Sequence, residues 1–418
     1  MSLSSVFTPT SHATLHPQDG GYSEEGTTIN RAVAVNVYSG PNDGPNGYVH
    51  NGPFPDINQF ISPGFGRASL FNSFTRGYFE NTTATWPQNV IHTIGHHFGR
   101  FSVEDLGGGY NSSAFVMQQE GSQVKHVLRT FSLAQLRDDQ RQQSFQLNRN
   151  HVGGEWLSAT FNHPNLAANT HIVVWDSLDN SFHVMDRNRV ETMIANHHTL
   201  EEGRQIYAVA TIGNYIEGSQ DLEAYFAANP QRTEDQMRGT LHDVFEGVAA
   251  MNRQNTVHRD LKAANIIRLP DDRAQVIDFG TAATLPLGGN LPSFGGRSVH
   301  PYESLFPVGN TPRHTNAKTD SYSLFLLTYQ AVSGRKFFTS SSSIEEIKRN
   351  QEEWHAKEQT KSFRELLEED PQLAHVSPAL RDLMAKLGTT NESRRLTAEQ
   401  ALAHEFFADR QVEQVEAA

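Results

Sequence analysis

Four polar side chains stand close together in this 418-residue chain and could act on one substrate. Asp260, Lys262 and Asn265 lie in Val257–Asn265, VHRDLKAAN. Asp278 follows thirteen residues after Asn265, in the triplet Asp278-Phe279-Gly280 behind the apolar pair Val276-Ile277. Asn265 and Asp278 offer oxygen atoms, the donors a hard cation takes. A carboxylate can orient a hydroxyl, and an ammonium or a bound cation can neutralise negative charge. A second stretch, Leu106–Val116, reads LGGGYNSSAFV. Small residues of this kind let backbone N–H groups approach phosphate oxygens, although Gly107–Gly109 alone reads equally well as a turn.

Composition narrows the classes. Apolar residues make up 37%, enough for a sizeable core. Acids outnumber bases, 47 to 34, and the net charge of −13 argues against a nucleic-acid or anionic-membrane binder. The chain has no cysteine, which removes disulfide frameworks, thiolate zinc sites and a cysteine nucleophile. Twenty histidines, His92, His96 and His97 among them, invite a metal site, but about four converging ligands would be needed. No apolar run reaches the roughly 18 residues of a membrane span, and Met1–His16 has no secretory pattern.

The elements that must hold these groups fall into two kinds. A strand–turn–strand pattern fits Val103–Met117 and Gln123–Phe131, with further strand-like runs at Thr170–Trp175, Phe182–Met185 and Ile206–Thr211. Beyond Gln231 a helical period takes over, with Leu241, Val244, Phe245, Val248 and Met251 on one face. A small strand-rich lobe, about 101–216, is expected to precede a larger helical lobe, about 217–408, within one domain over 96–410. Residues 1–95 lack lysine and are rich in Gly, Pro, Asn, Ser and Thr, so a largely disordered arm is expected there, with a short tail at 411–418. Its phenylalanines (Phe54, Phe60, Phe65, Phe71, Phe74, Phe79) are the contrary signal, and fit docking on the next domain or an autoinhibitory segment.

Taken together, VHRDLKAAN and the spaced Asp278-Phe279-Gly280 resemble the eukaryotic-type protein kinases, of the serine/threonine subgroup. The resemblance covers about Phe101–Ala408 and implies an α+β, two-lobed fold with a β-rich N-lobe and a mainly helical C-lobe. It implies that Asp260 orients the substrate hydroxyl and Lys262 neutralises the moving phosphoryl group. Asn265 and Asp278 would hold Mg2+, with ATP as phosphoryl donor and a protein as acceptor. Gly107 and Gly109 match the first two glycines of the nucleotide loop, and Ser112 takes the place of the third. Leu106, Ala114, Val127 and, in a hinge over Ile212–Gly218, Tyr215 complete the implied nucleotide contacts.

The departure lies on the next strand. The family's phosphate-binding lysine falls on Arg129, 22 residues after Gly107. A guanidinium fork does not replace an ammonium conservatively. Lys125 faces the same side but lies roughly 13 Å away, so it serves only in another register. Glu155, the single glutamate between Gly121 and Val190, is the ion-pair partner the resemblance implies ahead of His163-Pro164-Asn165, one residue off the usual spacing. A solvated surface acid is its plain alternative. The resemblance further pairs Glu303 with Arg395 in a buried ion pair and sets Asp320 against the catalytic-loop backbone. Thr281, Thr284, Ser293 and Ser298 are candidate phosphosites, with Arg259 as a phosphate partner. Arg129 also admits a pseudokinase scaffold. The setting reads as cytoplasmic, or as that of a secreted bacterial effector acting on a host protein.

Overall fold

Alternation along two neighbouring strands sends Phe115, Met117 and Leu128 to one face and Ala114, Val127 and Arg129 to the other. A computed structural model of the chain describes residues 57–62, 65–75, 86–108, 112–132, 136, 143–286, 289–292, 299–308, 312–338 and 343–408. Its N-terminal part contains α1 (Phe65–Thr75), α2 (Trp86–Phe98), β1 (Phe101–Gly108), β2 (Ser113–Gln119) and β3 (Lys125–Thr130). There follow β4 (Gln146–Asn148), β5 (His151–Val152), α3 (Gly154–Leu157), β6 (Asn169–Asp176), β7 (Ser181–Asp186), α4 (Arg187–Ala195) and β8 (Ile206–Asn214). The eight strands form one antiparallel sheet. β8 pairs with β3 and β4, and with β6, which carries β7 on its outer edge.

The apolar face of this sheet is covered by the segment expected to be disordered. Leu70 and Phe74 of α1 and Val90, Ile91 and Ile94 of α2 share one core with Phe115, Met117 and Leu128. Ser73 Oγ meets Thr130 Oγ1 at 2.7 Å beneath it. The expectation for residues 1–95 is therefore corrected for their described part. A sheet face carrying Phe115, Met117 and Leu128 must be buried, and the arm's aromatic and aliphatic residues bury it. Phe60 and Phe71 pack at the margin of this core. Phe54 and Phe79 lie outside the described residues, as does the tail at 411–418.

The C-terminal part holds β9 (Gln220–Asp221), α5 (Leu222–Ala228), α6 (Glu234–Arg253), β10 (Thr256–Val257), β11 (Ile266–Arg268), β12 (Ala274–Val276) and β13 (Ala283–Thr284). It also holds the paired strands β14 (Leu291–Pro292) and β15 (His314–Thr315) and the helices α7 (Tyr302–Leu305), α8 (Ala317–Ser333), α9 (Ile344–Glu358), α10 (Phe363–Glu368), α11 (Pro378–Gly388) and α12 (Ala398–Leu402). α6 starts on a Thr233/Gln236 capping box, and its face of Leu241, Val244, Phe245, Val248 and Met251 is fully buried. These residues pack with Leu324 and Phe325 of α8 in the main core. The fold is the two-lobed α+β arrangement. Among the described residues no helix is long and apolar enough to cross a membrane.

Candidate active site

The loop carrying Asp260 follows β10 and is pinned from several sides. Asp320, fully buried in the first turn of α8, accepts hydrogen bonds from the backbone N–H of His258 (2.8 Å) and Arg259 (2.9 Å). Burial pushes the Asp320 carboxyl above its ordinary value, opposed by His258 and by those two N–H donors. Arg259 holds a left-handed backbone, φ 67°, that these bonds stabilise. Its Nε donates to the Thr281 carbonyl at 2.7 Å, and Thr281 Oγ1 donates to the His258 carbonyl at 2.7 Å. Burial holds the Arg259 guanidinium down at about 10, with Asp320 opposing. The ring of His300 meets the Arg259 carbonyl at 3.0 Å.

On this frame the expected catalytic groups converge. Lys262 Nζ lies 2.7 Å from Asp260 Oδ2. Asn265 Nδ2 donates to the Asp260 carbonyl (2.7 Å) and to Asp260 Oδ2 (3.2 Å). With its amide nitrogen so engaged, Asn265 keeps Oδ1 as an acceptor, the donor a hard cation requires. Asp278 sits in the left-handed region, φ 61° and ψ 68°, directly ahead of Phe279. Phe279 packs, tilted, between Phe161 (4.7 Å) and His258 (5.6 Å), and this packing fixes the turn that presents Asp278.

Arg129 joins the two lobes. The sheet register sets it opposite Ala114 on β2 and Thr211 on β8, on the cleft side. NH1 contacts Glu155 Oε1 at 3.1 Å, NH2 contacts Asp278 Oδ1 at 2.5 Å, and Nε donates to Ser112 Oγ at 2.8 Å. Burial works to lower the pKa of this guanidinium, but the charges of Asp278 and Glu155 hold it above its ordinary value. Asp278 is drawn below the usual carboxylate range; burial opposes this, and Arg129 is the main cause. Glu155 goes the other way. Its side chain is 1% exposed, and Oε2 is a buried atom without a hydrogen-bond partner. Burial pushes its carboxyl up to about 7, with Arg129 opposing and Asp278 adding to the rise. Glu155 is thus no solvated acid.

The helix that carries Glu155 is only four residues long. A Cβ at Gly154 would fall 2.2 Å from the Phe279 carbonyl oxygen, so only glycine allows this approach. The turn at His163-Pro164-Asn165 is tied to β12, since Asn165 Nδ2 donates to the Ala274 carbonyl at 3.0 Å.

The nucleotide loop is described in part. Gly107 has φ +94°, its N–H donates to Asp105 Oδ1 at 2.7 Å, and the β1–β2 register shifts between them. Leu106 stands at this bulge, half exposed. Gly109 lies outside the described residues, as do Ser293 and Ser298. Ala114 and Val127 are half-buried on the cleft side of the sheet. Lys125 is elsewhere, 3.3 Å from Glu217. The Tyr215 N–H donates to the Lys125 carbonyl at 3.2 Å. A cavity of about 260 Å³ at this point is lined by Gln123, Val124, Lys125, Asn214, Tyr215 and Glu217, none of them a catalytic-loop group.

Two further expectations can be placed. Arg395 and Glu303 meet at 2.6 and 3.3 Å, both buried, and Arg395 also donates to the Thr389 and Lys318 carbonyls. His92 and His96 bring their Nε2 atoms to 3.1 Å, whereas His97 packs on His171. Sequence reasoning missed Asp105 and His300 as positioning groups. An aspartate two residues before a turn glycine was the available signal for the first.

Residues 168–407 match the family model described as the protein kinase domain. This is more than half of the chain, and the chain belongs to the eukaryotic-type protein kinase family. It is 26% identical over 202 residues to myosin light chain kinase 2 of skeletal/cardiac muscle from Rattus norvegicus, covering 46% of this chain and 30% of that protein. It is 25% identical over 202 residues to the serine/threonine-protein kinase ATG1b of Arabidopsis thaliana, covering 47% of this chain and 26% of that one. The phosphorylase b kinase gamma catalytic chain, liver/testis isoform, of Mus musculus is 25% identical over 194 residues, covering 45% of this chain and 44% of its own. The chain spans less than half the length of each of these relatives. The family match begins after Arg129 and Glu155.

Proposed function

We propose that the chain transfers the γ-phosphoryl group of Mg-ATP to serine or threonine hydroxyls of a protein. The observation that carries this reading is the knot of Asp260, Lys262 and Asn265 beside an Asp278 held by Arg129. Asp260 accepts the acceptor hydroxyl's hydrogen bond and orients it in line. Lys262, already 2.7 Å from Asp260, supplies positive charge where the phosphoryl oxygens pass. Asn265 Oδ1 and the second oxygen of Asp278 would hold Mg2+, which when bound neutralises charge on the phosphates. Arg129 contributes the phosphate-facing cation, and Glu155 keeps its fork in place. Leu106, Ala114 and Val127 form the apolar roof over the base. Serine/threonine specificity is supported by the relatives' names and by the run Asp260–Asn265.

A second reading has its own observation. The Arg129–Asp278 contact at 2.5 Å engages a group that should hold the metal, as a nucleotide-free scaffold would have it. Melting with and without Mg-ATP separates the two. A catalytic nucleotide site raises the melting temperature, and Asp278→Ala removes the rise. A scaffold shows no rise in either form.

In this reading α1 and α2 belong to the domain, because they complete the small-lobe core. A cytoplasmic setting, or export as a bacterial effector that phosphorylates a host protein, rests on composition alone. Fusion of the first 30 or so residues to a reporter tests for export.

A further inference from the structure

Two departures from the kinase pattern meet in space. Ser112 stands where the nucleotide loop has its third glycine, and Arg129 stands where the strand has its lysine. Ser112 immediately precedes β2, and Arg129 is registered opposite Ala114 on that strand, so adjacent backbones set their separation. The Ser112 hydroxyl accepts from Arg129 Nε at 2.8 Å. An ammonium has no donor at this point along the side chain. A guanidinium has one, and it is rigidly coplanar with the two terminal nitrogens. Fixing Nε therefore fixes the plane of the fork. Here that plane carries NH1 to Glu155 (3.1 Å) and NH2 to Asp278 (2.5 Å), with the Phe131 ring 5.4 Å from the guanidinium carbon. Without the serine, Arg129 would keep its charge and could rotate about its last bonds between the two carboxylates.

We propose that Ser112 is a positioning residue for Arg129. Its hydroxyl locks the guanidinium plane so that a cation longer and wider than lysine can still face the phosphates of a nucleoside triphosphate. The two substitutions are then one device and not two independent losses. This rests on the phosphoryl-transfer reading, and it adds that the nucleotide loop does part of its work through a side chain.

The test is a double-mutant cycle on the full chain, read as initial rates of labelled phosphate transfer across a range of Mg-ATP concentrations. Wild type, Ser112→Ala, Arg129→Lys and the double variant are compared, with Ser112→Thr as the conservative rescue. Loss of one hydrogen bond to a charged group predicts about a tenfold rise in the KM for ATP in Ser112→Ala, with kcat changed by less than about threefold. In the Arg129→Lys background the same change has a markedly smaller effect, because no Nε–H remains to be held. Ser112→Thr stays near wild type. Equal effects of Ser112→Ala in both backgrounds, or none in either, overturn the assignment. Melting of the nucleotide-free proteins separates misfolding from loss of positioning, since a variant that melts like wild type and still loses ATP affinity is folded. A wild type that neither binds nor turns over Mg-ATP overturns the phosphoryl-transfer reading itself. A wild type that turns over while the two substitutions act additively overturns only the role of Ser112.

Discussion

Arg129 and Glu155 together decide how this site responds to pH. Glu155 is buried with one carboxylate oxygen unpartnered, and its carboxyl rises to about 7 in the fold from an ordinary 4.5. A carboxyl raised in this way stabilises the fold in its neutral form. That contribution is whole below about 4.5 and is lost as pH climbs through about 7. Asp278 titrates below this window, so it does not mask the effect. Glu155→Gln removes the titration. Its melting temperature is expected to gain on wild type as pH rises from 4.5 to above 7. A constant difference across that range would mean that Glu155 stays ionised throughout. The grouping of Asp260, Lys262 and Asn265 was legible because the motif that carries them is short and its spacing rigid. Of the three partners of Arg129, Glu155 was legible as its ion-pair partner; Ser112 and Asp278 were not, because they come from distant parts of the chain and only the fold brings them to the same guanidinium.

At the scale of elements, α1 and α2 dock on the sheet as the arm's phenylalanines allowed, but no helical period announced α1. α1 reads FGRASLFNSFT, with a glycine, two serines and no charged residue beyond Arg67. α2 interrupts its apolar run with three histidines and Gly95, although Val90, Ile91 and Ile94 do sit at helical spacing. Tertiary burial overrode weak local propensity. By contrast the face of α6 and the strands β6, β7 and β8 were legible, since long runs of period 3.6 or of β-branched residues survive without context. The consequence is testable in Phe74. It is fully buried between α1 and the sheet, so Phe74→Ala is expected to destabilise the protein by about 3–5 kcal/mol in denaturant unfolding. A loss under about 1 kcal/mol would mean that α1 is not part of the stable core.

For the whole molecule, buried polar groups of the C-terminal part hold the loop that carries Asp260. Asp320 grips the His258 and Arg259 backbone from α8, and the Arg395–Glu303 pair ties α7 to the chain just before α12. Removing one partner of a buried pair leaves the other charge without compensation. Arg395→Ala is expected to cost about 3–5 kcal/mol in denaturant unfolding, and a near-zero cost would show that Glu303 finds another partner. Such couplings carry the argument from loop to lobe. Lys262 and Asn265 both contact Asp260, so one short loop brings the three side chains together. The most direct measurement is therefore incorporation of labelled phosphate by the full chain with ATP and Mg2+, run beside Asp260→Ala. On the proposed function, Asp260→Ala lowers incorporation by about 10²–10⁴-fold while Mg-ATP still raises the melting temperature. Equal incorporation by both forms, or none by the wild type at any Mg-ATP concentration, would show that Asp260 does not perform phosphoryl transfer here.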